Sequence, residues 1–340
     1  MALSDASRPD AWIAAQGARQ AESRRRRAVA LVFLVYALSL LEGPLRKWFL
    51  PELATPLTFL RDPFAVLLYA YCFGHGLVAW GGVGALWLGM TIVSSLLGAL
   101  QFFFNDLNAY AWLLGVRTYW LYMPLAFVIA AAFRRRDVER FLLWNTLLAI
   151  PYALLVAVQY NAGPTAWINL GVGGDDAAAV GLGEEIVRPF GLFTYTGPNV
   201  QFTAAMIAMF VAFFLSGARV PFRTPILWGA GAAVGAMAVL TGSRAIYFLA
   251  AAILGLTLLG STIARPDART LIRNGGVLVF VGIAAALLTL AFPDMFLAMQ
   301  NRFAEAEAVE GSIWQRALNT VLVFVDPLFT APLLGHGIGV

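Results

Sequence analysis

The chain has few of the residues from which soluble enzymes build metal and disulfide chemistry. Its 340 residues include one cysteine, Cys72, and two histidines, His75 and His336. A single thiol excludes an intramolecular disulfide and a Cys-based zinc site. Lysine is scarce too: apart from Lys47, every one of the 23 basic residues is arginine. Charged residues make up only 12% of the chain, which is low for a soluble globular protein. Motifs are missing as well. There is no His-x-Glu-x-x-His, no Gly-x-x-x-x-Gly-Lys-Ser/Thr and no Gly-x-Ser-x-Gly, so metalloprotease, NTPase and serine hydrolase chemistry lacks support. No strand precedes the Gly-rich run at His336, so it is not a dinucleotide fingerprint. No internal repeat and no second soluble domain is evident, and no metal, cofactor or nucleic-acid partner is implied.

What the chain has in abundance is apolar sequence: 60% of it is hydrophobic and its mean hydropathy is +0.76. These values place it among polytopic membrane proteins of all-α fold. A membrane-crossing helix needs about 20 mostly apolar residues. Roughly nine such runs fit the sequence, at 28–41, 64–78, 85–104, 109–132, 141–160, 199–216, 226–240, 245–263 and 276–292. Threading them from a cytoplasmic N-terminus puts 15 basic and six acidic residues on the cytoplasmic side, against eight basic and 13 acidic on the other. Positive charge collects in cytoplasmic loops, so the asymmetry predicts that orientation. The domain expectation follows: a cytoplasmic tail over 1–27, a helix bundle over 28–292 with a far-side loop at about 161–198, and a far-side segment over 293–340. Within that last segment, Ser312 and Gln315 have capping-box spacing and predict a helix that Pro327 ends.

Chemistry is expected on the far side. Arg188 opens the run Arg188-Pro-Phe-Gly-Leu-Phe and precedes Pro198-Asn199, which looks like a helix entry with exposed backbone N–H groups. A guanidinium keeps its charge and binds phosphate oxygens bidentately, so Arg188 suits a diphosphate at the membrane surface. Arg244, in Thr241-Gly-Ser-Arg244, sits between two apolar runs, and Arg117 lies in the outer part of the fourth. For both, snorkelling to lipid head groups stands beside a ligand role. Arg316 lies on the polar side of the predicted terminal helix, where a solvated arginine and a ligand-facing one are both open. Asp175 and Asp176 form a solvated loop pair or touch a divalent cation. His75 is expected to be a loop residue.

Three features occur in an order that resembles the O-antigen ligase and O-antigen polymerase superfamily of bacterial envelope proteins. They are Arg188-Pro-Phe-Gly-Leu-Phe with Pro198-Asn199, then Thr241-Gly-Ser-Arg244, then Trp314-Gln-Arg316 with Pro332-Leu-Leu-Gly-His336-Gly-Ile-Gly339. Glu42-Gly-Pro-Leu-Arg-Lys-Trp48 also resembles a subset of such proteins, with no mechanism attached. The resemblance implies an all-helical inner-membrane glycosyltransferase. It would move a glycan from an undecaprenyl diphosphate-linked donor to lipid A-core or another saccharide acceptor at the periplasmic face, among membrane lipids and without a nucleotide sugar. Diphosphate binding passes by position to Arg188, Arg244 and Arg316, and the donor/acceptor region to Asn199 and His336. Family members continue past the Gly-rich segment with a His-containing motif, which implies a general base beyond Val340 or a non-catalytic relative. A transporter or polysaccharide export component is the alternative class. It would show coupling charges near the bilayer midplane.

Overall fold

The computed structural model describes residues 9–78, 81–104, 108–172, 187–217 and 220–291, with Gln300, Gln315, Leu318, Leu322, Val325 and Phe329 beyond them. Every long element among these residues is a helix: α1 (Pro9–Pro44), α2 (Ala54–Leu57), α3 (Asp62–Gly74), α4 (Gly82–Phe104), α5 (Ala109–Val116), α6 (Leu125–Ala132), α7 (Arg135–Asn161), α8 (Thr196–Ser216), α9 (Arg223–Leu240), α10 (Arg244–Ala264) and α11 (Ala268–Ala291). Seven stretches have the length and apolar composition to cross a membrane: Ala15–Phe49, Gly84–Gln101, Ala109–Ala132, Arg135–Asn161, Thr196–Ser216, Arg223–Leu240 and Arg244–Ala264. Among the described residues the all-α expectation therefore stands, and seven of the nine expected runs are matched by stretches long and apolar enough to cross a membrane. The run expected at 64–78 forms α3, whose 13 residues fall short of the roughly 20 that a bilayer needs. The run expected at 276–292 lies mostly within α11.

Local chemistry sets several helix boundaries. Asn108 caps α5 by accepting from the Tyr110 and Ala111 amides at 2.9 and 3.3 Å. Asp267 does the same for α11, accepting from the Thr270 amide at 2.6 Å. Such caps satisfy donors that have no intrahelical partner. Gly217 ends α8 at φ +65, a left-handed conformation that suits glycine. Two helices pass into π-helical segments, Leu45–Phe49 after Pro44 and Arg117–Tyr122 after α5.

The described residues group into two compact units. The first draws on 1–39, 59–134 and 314–340. Its core joins Ala28, Val29 and Val32 of α1 to Leu68 and Cys72 of α3 and to Val128 and Ala132 of α6. At one edge Glu22 pairs with Arg25, Arg26 and Arg134 at 3.1, 2.8 and 2.8 Å, and Arg25 also donates to the Ala132 carbonyl at 2.7 Å. His75 closes α3 and lies against Tyr71, with ring centroids 4.3 Å apart. This fits the expected loop position. Of the terminal helix expected from Ser312, Gln315, Leu318, Leu322 and Val325 lie among the described residues; the first three are helical and Val325 is in a turn.

The second unit draws on 40–58 and 135–313. In it α7 packs against α8 and α9, α8 against α9 and α10, and α11 against α9 and α10. Its core holds Tyr152 and Val156 of α7, Val200 and Ala204 of α8, Met237 and Leu240 of α9, and Ile246 of α10, with Leu192 and Phe193 packed on it. Arg223 at the start of α9 donates to the Phe214 carbonyl near the end of α8 at 2.8 Å. The chain therefore reverses there, and α9 returns to the end of the unit where α7 finishes and α8 begins. Two of the buried polar side chains in α7 are satisfied locally. Asn145 and Thr146 donate to the Phe141 and Leu142 carbonyls one turn back.

Candidate functional site

The described part of the expected far-side loop is organised around the turn that follows Arg188. Phe193 N–H bonds back to the Phe190 carbonyl at 3.0 Å, and Gly191 between them has φ +58. Glycine is needed there for space as well as for conformation. A Cβ at Gly191 would stand 2.0 Å from the Tyr152 hydroxyl oxygen and 2.9 Å from Asn199 Oδ1. Val187, Pro189, Phe190 and Gly191 are buried, while Arg188 itself is half-buried.

Three elements hold this turn. From α7, Gln159 brackets Gly191: its Oε1 accepts from the Gly191 amide at 2.8 Å and its Nε2 donates to the Gly191 carbonyl at 3.1 Å. From α8, Asn199 donates to the Pro189 carbonyl at 2.8 Å and accepts from the Tyr152 hydroxyl. From the segment after α1, Lys47 donates to the Gly191 and Phe193 carbonyls at 2.9 and 2.7 Å. Gly43 lies so close to the Leu192 carbonyl that a Cβ would meet the oxygen at 1.7 Å. Each of these side chains satisfies a backbone group that burial would otherwise leave unpaired.

A second loop braces the first. Asn169 donates to the Gln159, Ala162 and Gly163 carbonyls at 2.9, 3.1 and 3.1 Å, fixing the reversal after α7. Its neighbour Trp167 packs edge-on against Trp48, with centroids 5.9 Å apart. Arg46 is occupied elsewhere, by Glu42 at 3.2 Å and the Ala54 carbonyl at 2.8 Å.

Two helix starts share this end of the unit. α8 opens on Tyr195 and α10 on Ser243, and neither residue provides a side-chain cap. Their first-turn N–H groups therefore carry the partial positive charge of a helix N-terminus. The α8 entry lies three residues earlier than Asn199, so Pro198 sits inside the first turn. Arg244 is the first residue of α10 and is half-buried. Arg188 and Arg244 thus lie at the same end of one unit, each beside an uncapped helix start. Asn199 is fully buried with both ends of its amide engaged, which makes it a brace for the Arg188 turn. Arg316, His336, Asp175 and Asp176 lie outside the described residues.

Arg117 has a different environment, in the first unit. Its Nε donates to both Asp62 oxygens at 2.7 and 3.0 Å, and Tyr122 donates to the same carboxylate. Arg61 donates to the Tyr122 oxygen at 2.9 Å and lies 4.3 Å from the ring centroid. An ion pair offsets the cost of holding Arg117 in an apolar helix.

Sequence reasoning missed Lys47, Gly43, Tyr152 and Gln159. Lys47 carried a signal as the one lysine among arginines, and Gln159 as a polar residue in an apolar run. Neither signal names a partner far away in the chain. Compared with protein-family models, with curated proteins and with solved structures, the chain gives no match.

Proposed function

We propose that the chain is an integral-membrane glycan transferase of the O-antigen ligase or polymerase kind. It takes a glycan from an undecaprenyl diphosphate-linked donor and passes it to a lipid A-core or other saccharide acceptor at the periplasmic face of a bacterial inner membrane. The observation that carries the proposal is the Arg188 turn, braced from three elements at an end of the second unit that also bears Arg244 and two uncapped helix starts. Such an arrangement favours an anion with several oxygens, because guanidinium groups and oriented N–H groups act together there.

The chemistry follows from the leaving group. When the acceptor hydroxyl oxygen bonds to the anomeric carbon, the bond from that carbon to the lipid diphosphate breaks, and both electrons leave with the diphosphate. Fixed positive charge beside its oxygens stabilises the developing anion most in the transition state. Arg188 is assigned this role, with Arg244 and Arg316 as its partners. The proton of the acceptor hydroxyl requires a base. The charge asymmetry of the loops supports a cytoplasmic N-terminus and a periplasmic site.

Arg188→Ala in the full protein is expected to reduce glycan transfer by about 10²–10³-fold, as losing one transition-state donor does elsewhere. Arg188→Lys is expected to rescue little, because an ammonium lacks the bidentate fork. Normal polysaccharide ladders from both variants would overturn the assignment. The Arg117–Asp62–Tyr122 cluster favours a second reading, in which the protein moves a charged substrate across the membrane. On that reading Asp62→Asn stops export and Arg188→Ala does not, whereas transfer chemistry gives the reverse.

A further inference from the structure

The resemblance gives no role to Lys47, yet among the described residues it is the most deeply enclosed cation of the second unit. It sits in the π-helical segment after α1 and is 3% exposed. Among the described residues no carboxylate pairs with it. Its Nζ is spent on the two carbonyls of the Arg188 turn, and it lies 4.1 Å from the Phe190 ring centroid and 4.5 Å from that of Trp48. An enclosed lysine without a counter-ion is an unusual choice where apolar side chains would pack as well.

Its place in the turn explains the choice. Gly191 and Phe193 carbonyls point to the Lys47 amine, while the carbonyl between them, from Leu192, lies against Gly43. Three consecutive peptide oxygens are thus fixed by a five-residue stretch of another segment. Arg188 is separated from Gly191 only by Pro189, whose φ is set by its ring, and by Phe190, which is fully buried. The Pro189 carbonyl is held by Asn199. Fixing Gly191 therefore leaves the Arg188 backbone little freedom, which narrows the volume its side chain can reach.

We propose that Lys47 is the positioning residue for Arg188: by holding the Gly191 and Phe193 carbonyls it directs the Arg188 guanidinium toward the anionic oxygens of a lipid-linked diphosphate. The ligand in this statement rests on the proposed transfer function, whereas the positioning itself rests on the geometry alone. Preorganisation of this kind matters because a guanidinium misplaced by about 1 Å loses much of its value to a reacting anion.

The test uses the full protein in lipid nanodiscs with three variants, Lys47→Met, Lys47→Gln and Arg188→Ala. The first readout is the rate at which phenylglyoxal modifies Arg188, followed by mass spectrometry of its peptide, with half-buried Arg223 at the far end of α8 as internal reference. Lys47→Met is expected to change the Arg188 rate at least fivefold and leave Arg223 within twofold of its wild-type rate. Lys47→Gln, which keeps N–H donors at the position, is expected to fall between. If Lys47→Met does not fold, Lys47→Gln decides. An unchanged Arg188 rate in a folded variant, or an equal change at Arg223, overturns the proposal. The second readout is affinity for geranylgeranyl diphosphate, expected to weaken at least tenfold in both Lys47→Met and Arg188→Ala. If Arg188→Ala binds this probe as the wild type does, the diphosphate function fails. A selective change in Arg188 reactivity would still uphold the positioning role.

Discussion

Gly43 shows how one residue without a side chain ties distant parts of the chain together. The atom that its missing Cβ would strike is the Leu192 carbonyl oxygen, at 1.7 Å, with the Leu192 carbonyl carbon at 2.8 Å. Both belong to backbone, so neither moves aside as a flexible side chain would. Overpacking a tight site typically costs about 1–3 kcal/mol. Gly43→Ala is therefore expected to lower stability by at least that amount and to displace the turn from Lys47. Thermal unfolding of the purified protein in detergent measures the first effect. A wild-type unfolding midpoint in Gly43→Ala would refute the contact. Gly191 makes the complementary case, since there left-handed φ and lack of space act together.

At the scale of elements, the helix ends carry most of the specific chemistry. Asp267 caps α11 outside the candidate membrane-spanning stretches. The hydrogen bonds from Thr270, with lesser help from Arg265 and Arg273, hold its carboxyl below the usual carboxylate range. A group with a depressed folded-state pKa contributes stability that is fully present above its unfolded value and lost as pH falls through the folded one. The first turn of α11 is accordingly expected to fray on acidification below the ordinary aspartate range of about 4. Hydrogen exchange of the α11 peptide at pH 7 and at lower pH measures this, and Asp267→Asn should remove most of the pH dependence. Protection that does not vary with pH would count against the cap.

These ends also mark what the sequence reveals and what it conceals. The runs at 109–132, 199–216 and 226–240 are legible because a bilayer demands an uninterrupted apolar stretch, and the helices there follow them closely. The run at 64–78 is misleading, since apolar composition cannot show that Asp62 and Gly74 bound a helix too short to cross. The two π-helical segments leave no mark on hydropathy. Arg188 is legible as a cation at the head of a Gly-containing run. Its restraints are not, because Lys47 lies 144 residues from Gly191 and no local pattern records a contact at that separation.

For the whole molecule, orientation is the property that decides what the site can meet. α7 runs from the arginine-rich Arg135 end to Asn161 over 27 residues, about 40 Å at 1.5 Å per residue. Its two ends are thus far enough apart to lie on opposite sides of a membrane. In a Cys72→Ala background, a cysteine replacing exposed Thr165 is expected to react with an impermeant thiol reagent in intact cells. One replacing exposed Arg136 should react only after permeabilisation. The opposite pattern would reverse the topology and remove the Arg188 turn from the periplasmic face proposed for it.

The close seat of the Leu192 carbonyl on Gly43 also orders events in time. Residues 43–47 leave the ribosome long before the peptide that will cover them. At about 5–20 residues per second, synthesis of the intervening 144 residues takes roughly 7–30 s. Throughout that interval the Lys47 amine has no Gly191 or Phe193 carbonyl to hold, so the nascent chain carries a polar group at the end of its first long helix that only a later segment can satisfy. The braced Arg188 turn is therefore completed late in synthesis, and it forms only if the first helix end is still accessible when the turn arrives.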